Sequence, residues 1–240
     1  VISIIIPAIN EEKLLGRMLE QFSPELVQNY DLEIIVSDGG STDRTCEVAR
    51  KYAHTVVENL EEKKQTISVG RNLGASKARG DLLIFLNADT RIAEPAQFFD
   101  RVREEMQRPG VAGLTCRVEV YPEEQRWIDL VFHSFYNWFF ERMNDVGIGM
   151  GRGECHVVPK AIFEKIHGYS PRIAAGEDYD LFSRLRKLGA IRFLDDLVVY
   201  ESPRRYRKYG YAYVSASWFL NYLAIVLLRR SILSEWRPVR

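Results

Sequence analysis

The 240-residue chain is 46% hydrophobic and 28% charged, a balance that excludes a disordered polypeptide and allows a sizeable core. Its 33 Lys and Arg offset its 33 Asp and Glu, so no global field draws nucleic acid and a DNA- or RNA-binding role loses its electrostatic footprint. Cys46, Cys116 and Cys155 lack CxxC or His-rich spacing, which speaks against a disulfide framework and a zinc site and for a reducing, cytoplasmic-side location.

The first residues, Val1 to Ile6, show no signal-peptide grammar and read as a buried strand stopped by Pro7. Asn10-Glu11-Glu12 then reads as cap and acidic first turn of a helix with Leu14, Leu15, Met18 and Leu19 on one face. The grammar repeats: a strand at Leu32 to Val36, a glycine-rich turn at Ser37 to Thr42, and a helix at Asp43 to Tyr52. A short strand at His54 to Glu58 and a helix over Gln65 to Lys77 follow. The apolar run Leu82 to Leu86 is too short for a buried helix and predicts a central parallel strand covered on both faces. This alternation specifies an α/β fold, a doubly wound, mainly parallel sheet with helices on both faces.

After Pro95 a helix is expected to Arg108, then a half-exposed strand over Val111 to Tyr121. Trp127 to Phe140 is aromatic at near-helical spacing, and the glycine loop Gly147 to Gly153 reads either as a mobile connection or as a substrate-covering lid. A helix from Tyr179 to Leu188 and separate strands at Ile191 to Leu194 and Val198 to Tyr200 complete this part. The last segment, Ala212 to Leu228, is apolar, with the basic run Arg204 to Lys208 before it and Arg229 and Arg230 after it. It reads as an amphipathic interfacial helix with Tyr211, Tyr213, Trp218 and Tyr222 at headgroup level, or as a helix docked on the core or on a partner subunit.

Short segments carry the chemistry. The first three strands of the Pro7, Ser37 and Asn87 segments point their following loops to one sheet edge, so Asp38 and Asp89 are expected to line one crevice, where open α/β sheets bind ligands. Asp89 ends an apolar strand, a position that suits either a turn cap or a divalent cation bridging a phosphorylated substrate. Gly176-Glu177-Asp178 opens a helix. His156, beside Val157 and Val158, reads as a structural histidine, with a metal or diphosphate contact as the lesser alternative.

With these pieces in order, IIIPAINEE, IIVSDGGSTDRT, GRNLGASKARGDLLIFLNADT and GEDYDLFSRLRKLG, the chain resembles the family-2 glycosyltransferases of the GT-A fold from Val1 to about Pro203. The resemblance implies a UDP- or GDP-sugar donor, Mn²⁺ or Mg²⁺ at its diphosphate, and inverting transfer of a sugar to an acceptor hydroxyl. It places Pro7, Ala8, Asn10 and Glu11 in the loop touching the nucleoside, matches Asp38 to the base-recognising aspartate, and brings Arg71 to the nucleotide. Asn87, Ala88 and Asp89 stand at the DxD motif, with Asp89 the metal ligand, and Asp178 matches the catalytic base, with Asp180 second. Asn87 departs from the usual aspartate, and its carboxamide keeps an acceptor oxygen without the charge. The QxxRW signature of processive synthases is absent, so addition of a single sugar is expected.

The implied organisation is residues 1–203 as the transferase domain, with 1–90 the nucleotide-binding half and 91–203 the acceptor half, and 204–240 a basic and apolar helical segment at a membrane surface. The acceptor is expected to be lipid-linked or a glycan, and the protein peripheral on the cytoplasmic face of a membrane. Two other readings compete: a membrane-associated scaffold with a degenerate sugar site, and a dinucleotide-dependent oxidoreductase, which the missing GxGxxG after the first strand disfavours.

Overall fold

The computed structural model describes residues 1–59, 65–173, 175–228 and residue 239. Its first elements are β1 (Ile2–Ala8), α1 (Leu15–Glu20), α2 (Pro24–Tyr30), β2 (Leu32–Asp38), α3 (Thr45–Tyr52), β3 (Thr55–Glu58), α4 (Ile67–Lys77) and β4 (Leu82–Leu86). Then come β5 (Thr90–Ile92), α5 (Pro95–Met106), β6 (Val111–Val120), α6 (Trp127–Asp145), β7 (Cys155–Pro159) and α7 (Lys160–Lys165). The last are α8 (Glu177–Arg186), β8 (Ala190–Glu201), α9 (Arg204–Tyr209) and α10 (Tyr211–Leu228). Among the described residues the strands form one sheet in the order β3-β2-β1-β4-β7-β6-β8-β5.

The sheet is mixed and mostly parallel. β1, β2, β3 and β4 run together, and β6 runs parallel to β8, whereas β7 and β5 are antiparallel to their neighbours. Side-chain alternation sends Ile4, Ile6, Ile84 and Leu86 into the core beneath α1 and α5, and Ile5, Leu83 and Phe85 into the core beneath α7 and α8. Both faces of β4 are therefore covered, as its unbroken apolar run requires.

Several expected boundaries move. β1 continues through Pro7 to Ala8, because its ladder with β4 ends at Ile5–Phe85 and only the β2 side, Pro7 opposite Ser37, goes on. Asn10, Glu11 and Glu12 do not cap α1, which starts at Leu15 without a side-chain cap, because Asn10 and Glu11 are engaged elsewhere. β6 is buried from Ala112 to Cys116 rather than half-exposed, since it lies between β7 and β8 with α5, α6 and α8 packed against it. The two expected C-terminal strands are one, β8, whose register with β6 jumps from Cys116–Leu194 to Arg117–Val198.

The glycine loop is a close-packed connection. A Cβ at Gly149 would stand 2.2 Å from the Phe182 carbonyl oxygen, and one at Gly151 would stand 2.2 Å from Phe182 Cε2. Asn144 clamps Met150 from both sides, accepting from its N–H and donating to its carbonyl, each at 2.9 Å. These glycines serve close approach to α8 rather than motion.

α10 docks on the protein. Tyr211 and Trp218 pack with Phe132 of α6 and Tyr206 of α9, and Tyr222 packs on Tyr179 of α8, so of the four rings expected at headgroup level only Tyr213 is exposed. Arg204 and Arg207 of the basic run are likewise spent on internal carboxylates, while Arg229, Arg230, residues 231–238 and residue 240 lie outside the described residues. No helix among the described residues is long and apolar enough to cross a membrane. α6 is the more amphipathic feature: Phe132, His133, Asn137 and Phe140 face inward, and Trp127, Leu130, Val131, Phe135 and Trp138 are exposed along the opposite side.

Candidate active site

At the C-terminal edge of β1, β2 and β4 the loops open into a pocket of about 460 Å³, within the range of small-molecule sites. Pro7, Ala8, Glu11, Arg71, Asn87, Ala88, Asp89 and Asp178 all line it, so residues far apart in sequence meet here. The two antiparallel strands that the sequence did not disclose complete it. β7 pairs Cys155 with Leu86, which sets Gly153 and Glu154 beside Asn87, and β5 pairs Thr90 with Glu201, which sets the start of α9 beside Asp89.

Asn10 and Asp38 are not among the lining residues. Asp38 is buried, and its carboxylate accepts from the Gly40 and Ser41 N–H groups, each at 2.9 Å, and from the Ser41 hydroxyl. Asn10 holds a left-handed backbone (φ 53°) and accepts from the Thr42 N–H at 2.7 Å. The two side chains therefore shape and tie together the loops after β1 and β2, while Ser37 and Gly39 present themselves to the pocket.

Asp89 does not cap its turn, which Thr90 closes by donating through N–H and hydroxyl to the Asn87 carbonyl. Its Oδ2 lies 3.0 Å from Arg204 Nη2. The same guanidinium grips Glu11 with both nitrogens, at 2.9 and 2.7 Å. Across the pocket Arg71, fully buried, donates from Nη1 to Glu177 Oε1 at 2.9 Å and from Nη2 to Asn87 Oδ1 at 2.9 Å and the Gly153 carbonyl at 2.6 Å. Satisfying a buried guanidinium from several acceptors is what makes its burial tolerable.

Asp178 sits in the first turn of α8, after Gly176 turns the chain with φ 77°. Burial, reinforced by the neighbouring Glu177, raises its carboxyl to about pH 8, against the opposing N–H of Tyr179 and charge of Arg71. A carboxyl so poised is a stronger base than an ordinary aspartate. Asp180, two residues on, is held by Arg184 one turn later at 2.6 Å, an ion pair along the helix. His156 is fully buried with Nδ1 2.7 Å from the Tyr169 hydroxyl and stays neutral, since burial, then the Arg71 charge, lower its pKa; its role is structural.

Sequence reasoning missed Arg152, Glu154, Glu177 and Glu201, all of which line the pocket. The signal available was a charged Arg-Gly-Glu triplet inside an otherwise neutral glycine loop and a glutamate ending an apolar strand.

A divalent cation fits this donor set only if a bound substrate shares in holding it. Among the described residues no group of three His, Cys, Asp or Glu converges on one point, and Asn87 Oδ1 is turned to Arg71. One carboxylate, Asp89, would hold a Mg²⁺ or Mn²⁺ ion, whose Lewis-acid chemistry suits a phosphorylated substrate.

Residues 3–166 match the family model described as glycosyl transferase family 2. The chain is 39% identical over 95 residues to the 4,4'-diaponeurosporenoate glycosyltransferase of Staphylococcus haemolyticus, across 38% of this chain and 24% of that protein. It is 24% identical to the succinoglycan biosynthesis protein ExoA of Rhizobium meliloti, across 98% of this chain and 75% of that protein. In structure it resembles the mannosyltransferase PcManGT from Pyrobaculum calidifontis in complex with GDP-Man and Mn²⁺, with a TM-score of 0.73 at 18% identity, covering 95% of this chain and 64% of that one. The chain thus spans about a quarter of the first relative's length, and the structural likeness speaks to the fold alone.

Proposed function

The chain belongs to glycosyl transferase family 2 and is a glycosyltransferase of the GT-A fold, and from that premise we propose that its pocket takes a UDP- or GDP-sugar with Mn²⁺ or Mg²⁺ and passes one sugar, with inversion, to an acceptor hydroxyl. The observation that carries this reading is the meeting in one pocket of a carboxylate at the end of β4, Asp89, and a carboxyl of raised basicity at the start of α8, Asp178.

In this reading the first 90 residues hold the donor, with Pro7, Ala8 and the loop shaped by Asp38 against the nucleoside. Asp89 would hold the cation, and Arg204, a guanidinium at its side, would neutralise the diphosphate. The bound cation supplies Lewis-acid stabilisation of the charge developing on the departing nucleoside diphosphate. Asp178 accepts the proton of the acceptor hydroxyl as the new bond from its oxygen to the anomeric carbon forms and the bond from that carbon to the diphosphate breaks. Attack from the side opposite the leaving group inverts the anomeric centre. Arg71 holds Glu177, Asn87 and the Gly153 carbonyl together, so that both sides of the pocket keep their spacing.

The acceptor in this reading is lipid-linked or a glycan, and the protein works as a peripheral enzyme on the cytoplasmic face of a membrane. Support comes from the exposed row Trp127, Val131, Phe135 and Trp138 on α6, an apolar face of the kind that lies in a lipid interface, and from three free thiols that fit a reducing compartment.

Calorimetric titration of UDP, GDP and their sugars, with Mn²⁺ and with EDTA, tests the proposal on wild type and Asp89→Ala. Metal-dependent binding of one nucleotide, lost in the variant, is expected. A folded protein that binds neither nucleotide under any of these conditions would sink the reading.

A further inference from the structure

Arg152 is a buried cation that the transfer chemistry above leaves unused. It is 2% exposed, yet it lines the pocket. Its guanidinium donates from Nε to Glu154 Oε2 and from Nη2 to Glu201 Oε1, both at 3.3 Å, and Nη1 finds no acceptor among the described residues. The Tyr206 hydroxyl donates to the same Glu201 oxygen at 2.7 Å, and among the described residues no hydrogen-bond donor reaches the second oxygen of either glutamate. The rings of Phe140 and Trp218 stand 5.9 and 5.7 Å from the guanidinium carbon.

A buried guanidinium N–H without an acceptor is costly, and natural proteins leave such groups unpaired where a ligand completes them. The position says which ligand. Glu201 lies opposite Thr90, next to Asp89, and Glu154 follows Gly153, whose Cβ position would be 3.5 Å from Asp178 Oδ2. The cluster thus spans the space between the diphosphate end and the base. One free guanidinium nitrogen with two N–H donors, two glutamates with a spare oxygen each and flanking rings match neighbouring hydroxyls of a pyranose, each of which both donates and accepts, with its C–H face against an aromatic wall. The flanking glutamates disfavour a ligand that brings its own negative charge here.

Resting on the transferase reading above, we propose that Arg152, with Glu154 and Glu201, is the subsite that grips adjacent hydroxyls of a neutral hexose, through Arg152 Nη1 and the spare glutamate oxygens. The hexose is that of the nucleotide donor or the terminal sugar of the acceptor.

The test compares binding ratios. For whichever of UDP-glucose and GDP-mannose binds, the dissociation constant is divided by that of the bare nucleoside diphosphate, with Mg²⁺, in wild type, Arg152→Lys and Glu154→Gln. Methyl glucoside and methyl mannoside are titrated separately in the presence of the diphosphate. A donor-sugar subsite raises the ratio about tenfold in both variants, the equivalent of one lost charge-assisted hydrogen bond, while binding of the bare diphosphate stays intact and certifies the fold. An acceptor-sugar subsite leaves that ratio alone and weakens the methyl glycoside by a similar factor. Unchanged ratios together with unchanged glycoside binding, in variants that still bind diphosphate, overturn the subsite and leave the transferase reading standing. If wild type binds no nucleotide, both fall together.

Discussion

Arg71 Nη2 donates to Asn87 Oδ1 at 2.9 Å, so the carboxamide at the first position of the DxD-like motif is held by a fully buried guanidinium. Charge at residue 87 and pairing to Arg71 are thereby linked. Asn87→Asp adds a carboxylate that is either consumed by Arg71 or available to the metal. The expected outcome is Mn²⁺ binding tightened by roughly tenfold in the presence of nucleoside diphosphate, as an added carboxylate ligand does in oxygen-donor sites. Titration of Mn²⁺ followed by electron paramagnetic resonance checks it, and an unchanged constant would mean that Arg71 neutralises the new charge completely.

The raised carboxyl of Asp178 predicts a pH signature in both rate and stability. In its proposed role as the base it acts deprotonated, so turnover should climb with pH and level off above about 8. Its folded value lies above the value near 3.9 of an unfolded aspartate, so its contribution to stability is complete below about pH 4 and is lost as pH rises toward 8. Asp178→Asn should abolish turnover while keeping nucleotide binding, and its melting temperature should gain on wild type progressively over the same interval. Parallel melting curves at every pH would contradict the assignment.

Arg204 bridges Glu11 and Asp89, so in the proposed reading it would compete with the cation for Asp89 before the donor arrives and pair with the diphosphate afterwards. Arg204→Ala should therefore weaken nucleoside diphosphate binding by about tenfold or more, as loss of a charge-assisted contact does, while Mn²⁺ alone binds more tightly because Oδ2 of Asp89 is released. Paired calorimetric titrations separate the two effects. A uniform loss of both would indicate that Arg204 only supports the loop.

Gly151 packs so closely on Phe182 that an added methyl has no room. Gly151→Ala is expected to destabilise by about 1–3 kcal/mol, the range for overpacking in a filled interior, and to displace Arg152 next to it. Thermal unfolding measures the first effect and nucleotide-sugar affinity the second. A mobile lid would tolerate the methyl with neither change.

The fold was legible wherever one local pattern decided the outcome. The apolar runs of β1, β2 and β4 could be satisfied only inside a covered parallel sheet, and the residues that end them had to share its edge. Period and composition alone therefore gave the first half of the sheet and the meeting of Asn87, Asp89 and the Pro7 segment. The motif order added Asp178, which nothing in its local pattern connects to that edge.

What sequence could not supply was partnership across distance. β5 and β7 are short strands whose existence depends on β8 and β4 waiting to pair with them, and local propensity does not encode a partner. With them came Glu154 and Glu201, and the cross-strand neighbours Cys116 and Cys155, which lie far apart in the chain. α10 followed the same rule: its apolar composition was plain, but whether the protein or something else covers it rested on Phe132, Tyr179 and Tyr206 offering aromatic surface to Trp218 and Tyr222. The sequence by itself determined that a doubly wound sheet would bring acidic loop ends to one edge. Only the tertiary structure decided which carboxylates stay there paired to arginine, because burial and ion pairing are properties of neighbours in space and not in sequence.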